Sequence, residues 1–259
     1  MSTRKSSNAR MRPTAQPSST FAWPPTSVVA PGPNFKWSRK VVFDFHEVIV
    51  KWVEQFTNFI NLTYGYNIKP SSSRFYNMQF DPELSLTPEQ FEEAFQAFAR
   101  LSEGGYGDLK AHAGIVKAMK DIISPETGLN LEIEIWTWTP AAAETQFTGL
   151  KSYGTGIAQK VTLDLIARLG LPVDTVRQVR FMKPEQKKWE MVEERVPLMI
   201  EDNPETAVGV ACLGLASILT PERYNNITCE NVLRLTDRKH LAATVIDFFK
   251  KLDEAGVLL

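Results

Sequence analysis

The chain has 259 residues and is 43% hydrophobic and 23% charged, an ordinary globular composition with ample material for a core. Its net charge of -1 hides an asymmetry: residues 1–40 carry Arg4, Lys5, Arg10, Arg12, Lys36, Arg39 and Lys40 and no acid, which leaves 22 basic against 30 acidic side chains on the rest. Two cysteines and three histidines exclude a disulfide scaffold, a cysteine-based zinc cluster and a histidine-rich metal site. No apolar run reaches the roughly 18 to 20 residues that span a bilayer, and the N-terminus lacks a hydrophobic signal segment. A soluble, cytoplasmic protein is expected, with no membrane partner.

Residues 1–39 read as a flexible arm rather than a domain, because Pro13, Pro17, Pro24, Pro25, Pro31 and Pro33 among many serines disfavour helix and sheet. Phe21, Trp23, Phe35 and Trp37 are costly to leave in water, so parts of the arm are expected to dock on the body or on a partner. Seven cations with interleaved aromatics suit an anionic or a protein partner.

From Lys40 the pattern alternates between strand and helix. Val41-Val42-Phe43 reads as a buried parallel strand ending at Asp44, followed by an amphipathic helix from about Val48 to Tyr64. Residues 67–86 read as irregular. Thr87-Pro88-Glu89-Gln90 opens a helix with a capping box and a first-turn proline, and Phe91, Phe95 and Phe98 lie on one side of it. A helix at about 113–123 and a strand at 131–138 follow. Next come a helix at 155–169, a strand at 176–181, a helix at 185–194 and a strand at 197–200. Asn203-Pro204 caps a further helix in which Cys212 is expected to be buried. Strands at 216–219 and 232–235 and a closing helix at 238–252 complete the chain. The pattern predicts an α/β core over residues 40–259, a doubly wound and mainly parallel Rossmann-like sheet, with a small helical cap at about 50–110 inserted after the first strand.

Ligands of such sheets bind outside the carboxyl ends of the strands, so the residues at those ends matter most. They are Asp44, Thr137 with Thr139 just beyond, Lys183 and Lys187 at the start of the 185–194 helix, and Glu201-Asp202. Two carboxylates can hold a hard divalent cation through oxygen, while a hydroxyl and an ammonium orient and neutralise a phosphoryl group.

The order Val41-Val42-Phe43-Asp44-Phe45-His46, then Ile135-Trp136-Thr137, then a lysine, then Ile200-Glu201-Asp202-Asn203-Pro204 resembles the four motifs of the haloacid dehalogenase-like hydrolase superfamily. The helical insert, with Thr63-Tyr64-Gly65-Tyr66-Asn67-Ile68 and Leu86-Thr87-Pro88-Glu89-Gln90-Phe91, is most similar to the cap of 5′(3′)-deoxyribonucleotidases. The resemblance implies a phosphohydrolase acting on a nucleotide or similar small phosphate ester through an aspartyl-phosphate on Asp44. Mg²⁺ would be held by Asp44, the backbone carbonyl of His46, and Asp202 with Glu201. Thr137 would bind phosphoryl oxygens, and Lys187, or in second place Lys183, would pair with Asp44. Phe75 and Tyr76 would stack on a base, with Thr139 also on the substrate. The family pattern places an acid-base aspartate at position 46 and commonly a glycine at 47; this chain has His46 and Glu47. An imidazole can do acid-base work near neutral pH, but its geometry and charge differ. The alternative is therefore a catalytically impaired relative that acts as a binding or structural module through its basic arm.

Overall fold

The fold, taken from a computed structural model, is described for residues 34–69, 86–138 and 156–259, so Phe75, Tyr76, Thr139 and most of the arm lie outside the described residues. Six strands, β1 (Lys40–Phe43), β2 (Glu132–Thr137), β3 (Val179–Phe181), β4 (Leu198–Glu201), β5 (Ala216–Leu219) and β6 (Val232–Arg234), pair in parallel in the order β3-β2-β1-β4-β5-β6. Central β1 and β4 are apolar almost throughout because both of their faces are buried. The order reverses at β1, so the carboxyl ends of β1 and β4 flank the crevice where a doubly wound sheet binds its ligands.

Helices α1 (Trp52–Tyr64) and α2 (Pro88–Arg100) fall between β1 and β2. The capping box forms as the sequence predicts: Gln90 N–H donates to Thr87 Oγ1 at 3.2 Å and Thr87 N–H to Gln90 Oε1 at 2.9 Å. The aromatic stripe of α2 packs on α1, with Phe56 meeting Phe98 and Phe91 at ring-centroid distances of 5.2 and 5.5 Å. Helix α1 starts four residues later than its periodicity predicts. Glu47 adopts φ 51°, and Glu47 N–H donates to the Val50 carbonyl at 2.8 Å, so residues 47–50 form a tight turn. Glu47 Oε1 also accepts from Val53 N–H at 2.5 Å, placing a carboxylate against a first-turn amide of α1.

The remaining helices are α3 (Ile115–Ile122), α4 (Ile157–Arg168), α5 (Pro184–Glu193), α6 (Pro204–Ala211) and α7 (Leu241–Glu254). Strand β3 is shorter than predicted because Asp174–Gln178 form a turn, closed by Gln178 N–H to the Asp174 carbonyl at 2.8 Å, which leaves Val176 exposed. Cys212 is exposed rather than buried, since α6 ends at Ala211 and Cys212 is its C-cap.

The last residues of the arm do dock on the body. Trp37 N–H donates to the Val257 carbonyl and Leu259 N–H to the Trp37 carbonyl, both at 2.8 Å, and the buried indole joins the core. Among the described residues no helix is long and apolar enough to cross a membrane.

Candidate active site

Asp44 continues β1 by one residue, its N–H donating to the Ile200 carbonyl of β4 at 2.9 Å, so the pairing of the two strands holds its carboxylate beside the acids that follow β4. Oxygens of Asp44, Glu201 and Asp202 lie within 4.8 Å of one another, and all three residues are buried. Asn203 fixes the turn after them: its Oδ1 accepts from Glu205 N–H at 2.9 Å, and Pro204 follows as the first residue of α6.

Helix α5 decides between the two candidate lysines. Lys183 precedes its first turn and is half-buried, and its ammonium enters no ion pair among the described residues. Lys187 lies one turn on and faces inward, 3% exposed, with Nζ 2.5 Å from Asp44 Oδ1 and 3.2 Å from Glu201 Oε2. Burial alone would lower its pKa, yet the two carboxylates outweigh that and hold the ammonium above its ordinary range. Glu201 is fully engaged, since its Oε1 accepts from Asp202 N–H at 3.1 Å and Asn203 N–H at 3.2 Å. Burial pushes the Glu201 carboxyl up, and burial with Glu201 and Asp44 pushes Asp202 well above the usual carboxylate range.

Three carboxylates facing one ammonium leave negative charge that a divalent cation would balance, and oxygen donors at this spacing suit Mg²⁺. Asp202 is oriented by Tyr224, whose hydroxyl donates to Oδ2 at 2.6 Å. Thr137, at the end of β2, is wholly buried and its Oγ1 has no hydrogen-bond partner. A buried hydroxyl left unpaired costs about 1–3 kcal/mol, which an acceptor the protein itself does not supply would recover.

His46 is turned toward the helices that follow β1. Its Nε2 lies 2.5 Å from the Tyr106 hydroxyl, and that hydroxyl is also hydrogen-bonded to Thr162 of α4. Burial lowers the His46 pKa to about 4, with the Lys187 charge adding to the effect and Asp44 and Glu47 opposing it, so the imidazole is neutral near pH 7. The Thr162 hydroxyl donates to the Ala158 carbonyl at 2.8 Å, which anchors the chain of hydrogen bonds in a helix backbone.

Sequence reasoning missed the residues that brace this site. Tyr106 lies in a short turn between α2 and α3, and Tyr224 lies in the segment between β5 and β6, neither with a motif around it. Glu47 sits near His112, whose Nε2 lies 3.7 Å from Glu47 Oε2, while Arg238 donates to the Glu47 carbonyl at 2.5 Å and pairs with Glu222. These contacts clamp the turn after Asp44, and periodicity carries no trace of them.

No protein-family model matches the chain, and no curated protein matches its sequence. Solved structures match it in fold. A haloacid dehalogenase-like family hydrolase from Streptococcus pneumoniae aligns at a TM-score of 0.53 and 12% identity, over 83% of this chain and 98% of that one. A haloacid dehalogenase-like family hydrolase from Xanthomonas campestris aligns at 0.48 and 14% identity, over 86% and 96%. The six-stranded parallel sheet with its flanking helices thus has the haloacid dehalogenase-like hydrolase fold.

Proposed function

We propose that the protein is a Mg²⁺-dependent phosphohydrolase of small phosphate esters, nucleotides among them, working through an aspartyl-phosphate on Asp44. The observation that carries this reading is the buried cluster of Asp44, Lys187, Glu201 and Asp202 at the switch point of the sheet, with the unpartnered Thr137 hydroxyl at the end of the neighbouring strand β2.

Asp44 and Asp202 would hold Mg²⁺ together with the His46 carbonyl, and the bound ion would neutralise charge on the phosphoryl oxygens. Glu201, whose oxygens accept from Lys187 and from backbone amides, would support Lys187 and complete the acidic cluster around the ion. Lys187 orients Asp44 as the nucleophile. Thr137 donates to a phosphoryl oxygen. His46, neutral and held by Tyr106, can take a proton from the water that hydrolyses the aspartyl-phosphate. Because it stores no extra proton near pH 7, it aids departure of the leaving group little.

The test is phosphate release from a panel of nucleoside monophosphates, sugar phosphates and aryl phosphates, with Mg²⁺ and with a chelator. Release that requires Mg²⁺ is expected. Release from none of the panel would favour a binding module that has given up hydrolysis at His46.

A further inference from the structure

A second group of metal-ligating side chains lies beside the turn that follows β1. Val50 bridges Ala111 in the antiparallel sense and His112 N–H donates to the Ile49 carbonyl at 2.8 Å, so the segment before α3 lies along that turn and carries His112 to Glu47. Glu222 reaches the same place from just beyond the carboxyl end of β5, in a turn where its N–H donates to the Thr220 carbonyl at 2.8 Å. One donor atom from each of Glu47, His112 and Glu222 lies within 4.8 Å of the other two. Glu47 Oε1 is taken by Val53 N–H, which leaves Oε2 toward His112. His112 Nε2 is wholly buried and has no hydrogen-bond partner. It stands 3.7 Å from Glu47 Oε2, too far for a hydrogen bond but close to the roughly 3.4 Å that separates two ligands of a tetrahedral ion with bonds of about 2.0–2.2 Å. Arg238 pairs with Glu222 through Oε1, which leaves Oε2 for a ligand. Two carboxylates against that one guanidinium still leave negative charge for a cation to balance. The His112 and Glu222 side chains keep 12% and 19% of their exposure, so an ion has a way in from solvent.

We propose that Glu47, His112 and Glu222 form a second cation site, one that takes Zn²⁺ through an imidazole and two carboxylates. The imidazole sets it apart from the all-oxygen cluster around Asp44, because ring nitrogen suits zinc whereas hard carboxylate oxygens suit Mg²⁺. Three protein ligands leave the fourth tetrahedral position to water. The site joins the turn after Asp44, the segment before α3 and the β5–β6 segment that carries Tyr224, the hydrogen-bond donor to Asp202. Its role is to brace those three segments against one another, and it does not depend on the phosphohydrolase reading.

The test is equilibrium dialysis of the full chain against Zn²⁺ in excess Mg²⁺, which competes for the all-oxygen cluster, with circular dichroism to check the fold of each variant. One bound zinc is expected. His112→Gln and Glu222→Gln should each weaken its binding by about tenfold or more, since losing a ligand costs at least as much as losing an outer partner of one. Asp202→Asn, which alters only the other cluster, should leave it unchanged. X-ray absorption at the zinc edge needs no substitution, and on the wild type it should show one imidazole with oxygen in the remaining positions. Sulfur among the ligands would place the ion on Cys212 or Cys229 and overturn the proposal. So would no zinc retained in Mg²⁺, binding undiminished in folded His112→Gln or Glu222→Gln, or binding lost in folded Asp202→Asn.

Discussion

Thr137 separates stability from activity at a single atom. Its hydroxyl is buried without a partner, so Thr137→Val, which keeps the shape and removes the polar group, should leave the chain equally stable or raise stability by about 1 kcal/mol. The same change should lower phosphate release by about tenfold or more if the hydroxyl serves a phosphoryl oxygen. Thermal unfolding and turnover measured on one preparation check both halves, and a clear loss of stability would show that the hydroxyl has a partner inside the protein. His46 gives a second test. His46→Asp should raise turnover by about tenfold or more, since a carboxylic acid can both give and take the proton where the neutral imidazole only takes one; a fall would show that a carboxyl cannot replace the imidazole there. Asp44, Thr137, Lys187 and Asp202 were legible as candidates because the residue at the end of a parallel strand, or one turn into the helix after it, follows from element boundaries. Tyr106 and Tyr224 were not legible. Each reaches its partner across the fold, 60 residues from His46 and 22 from Asp202, and only tertiary packing brings them there.

Among the elements, the α1–α2 pair shows how much rests on one ring. Phe56 is wholly buried among Trp52, Phe59, Phe91, Phe95 and Phe98, so Phe56→Ala should cost about 3–5 kcal/mol in denaturant unfolding. A cost below about 1 kcal/mol would show that the aromatic cluster is loosely packed. Helix α2 was legible to its first residue because a capping box is a local signal. The start of α1 was not, because the turn at residues 47–50 interrupts a periodicity that would otherwise run through it. At the end of α5, Glu194 bridges Lys40 of β1 and Arg180 of β3. Burial opposes ionisation of Glu194, but the two cations hold its pKa below the ordinary 4.5. A carboxyl depressed in the folded state adds stability that is present above its unfolded pKa and lost as pH falls through the folded one. Glu194→Gln should therefore be less stable than the wild type near pH 7, by about 1 kcal/mol or less for a pair still partly in contact with water, and the gap should close as pH drops below 4.5. A gap that does not change with pH would contradict the ion-pair assignment.

At the scale of the whole molecule, the two ends of the described fold are pinned together. Trp37 is hydrogen-bonded to Val257 and Leu259, and Arg39 pairs with Asp253 of α7, so the strand-like end of the arm closes against the C-terminus. Trp37→Ala should cost about 3 kcal/mol and lower Tm by about 2–4 °C per kcal/mol in a chain of this size. An unchanged Tm would show that the pin carries no stability. The doubly wound sheet itself was the most legible feature, because parallel strands buried on both faces must read as short apolar runs separated by helices. What periodicity cannot supply is the order of those strands. The reversal at β1 is what sets Asp44 beside Asp202, and on it the functional proposal depends. The decisive measurement is Mg²⁺-dependent phosphate release by the wild type and by Asp44→Asn on the best substrate of the panel. The account predicts wild-type release that the substitution lowers by a factor on the order of 10⁴ or more with the fold intact. Release that survives the substitution unchanged would contradict it.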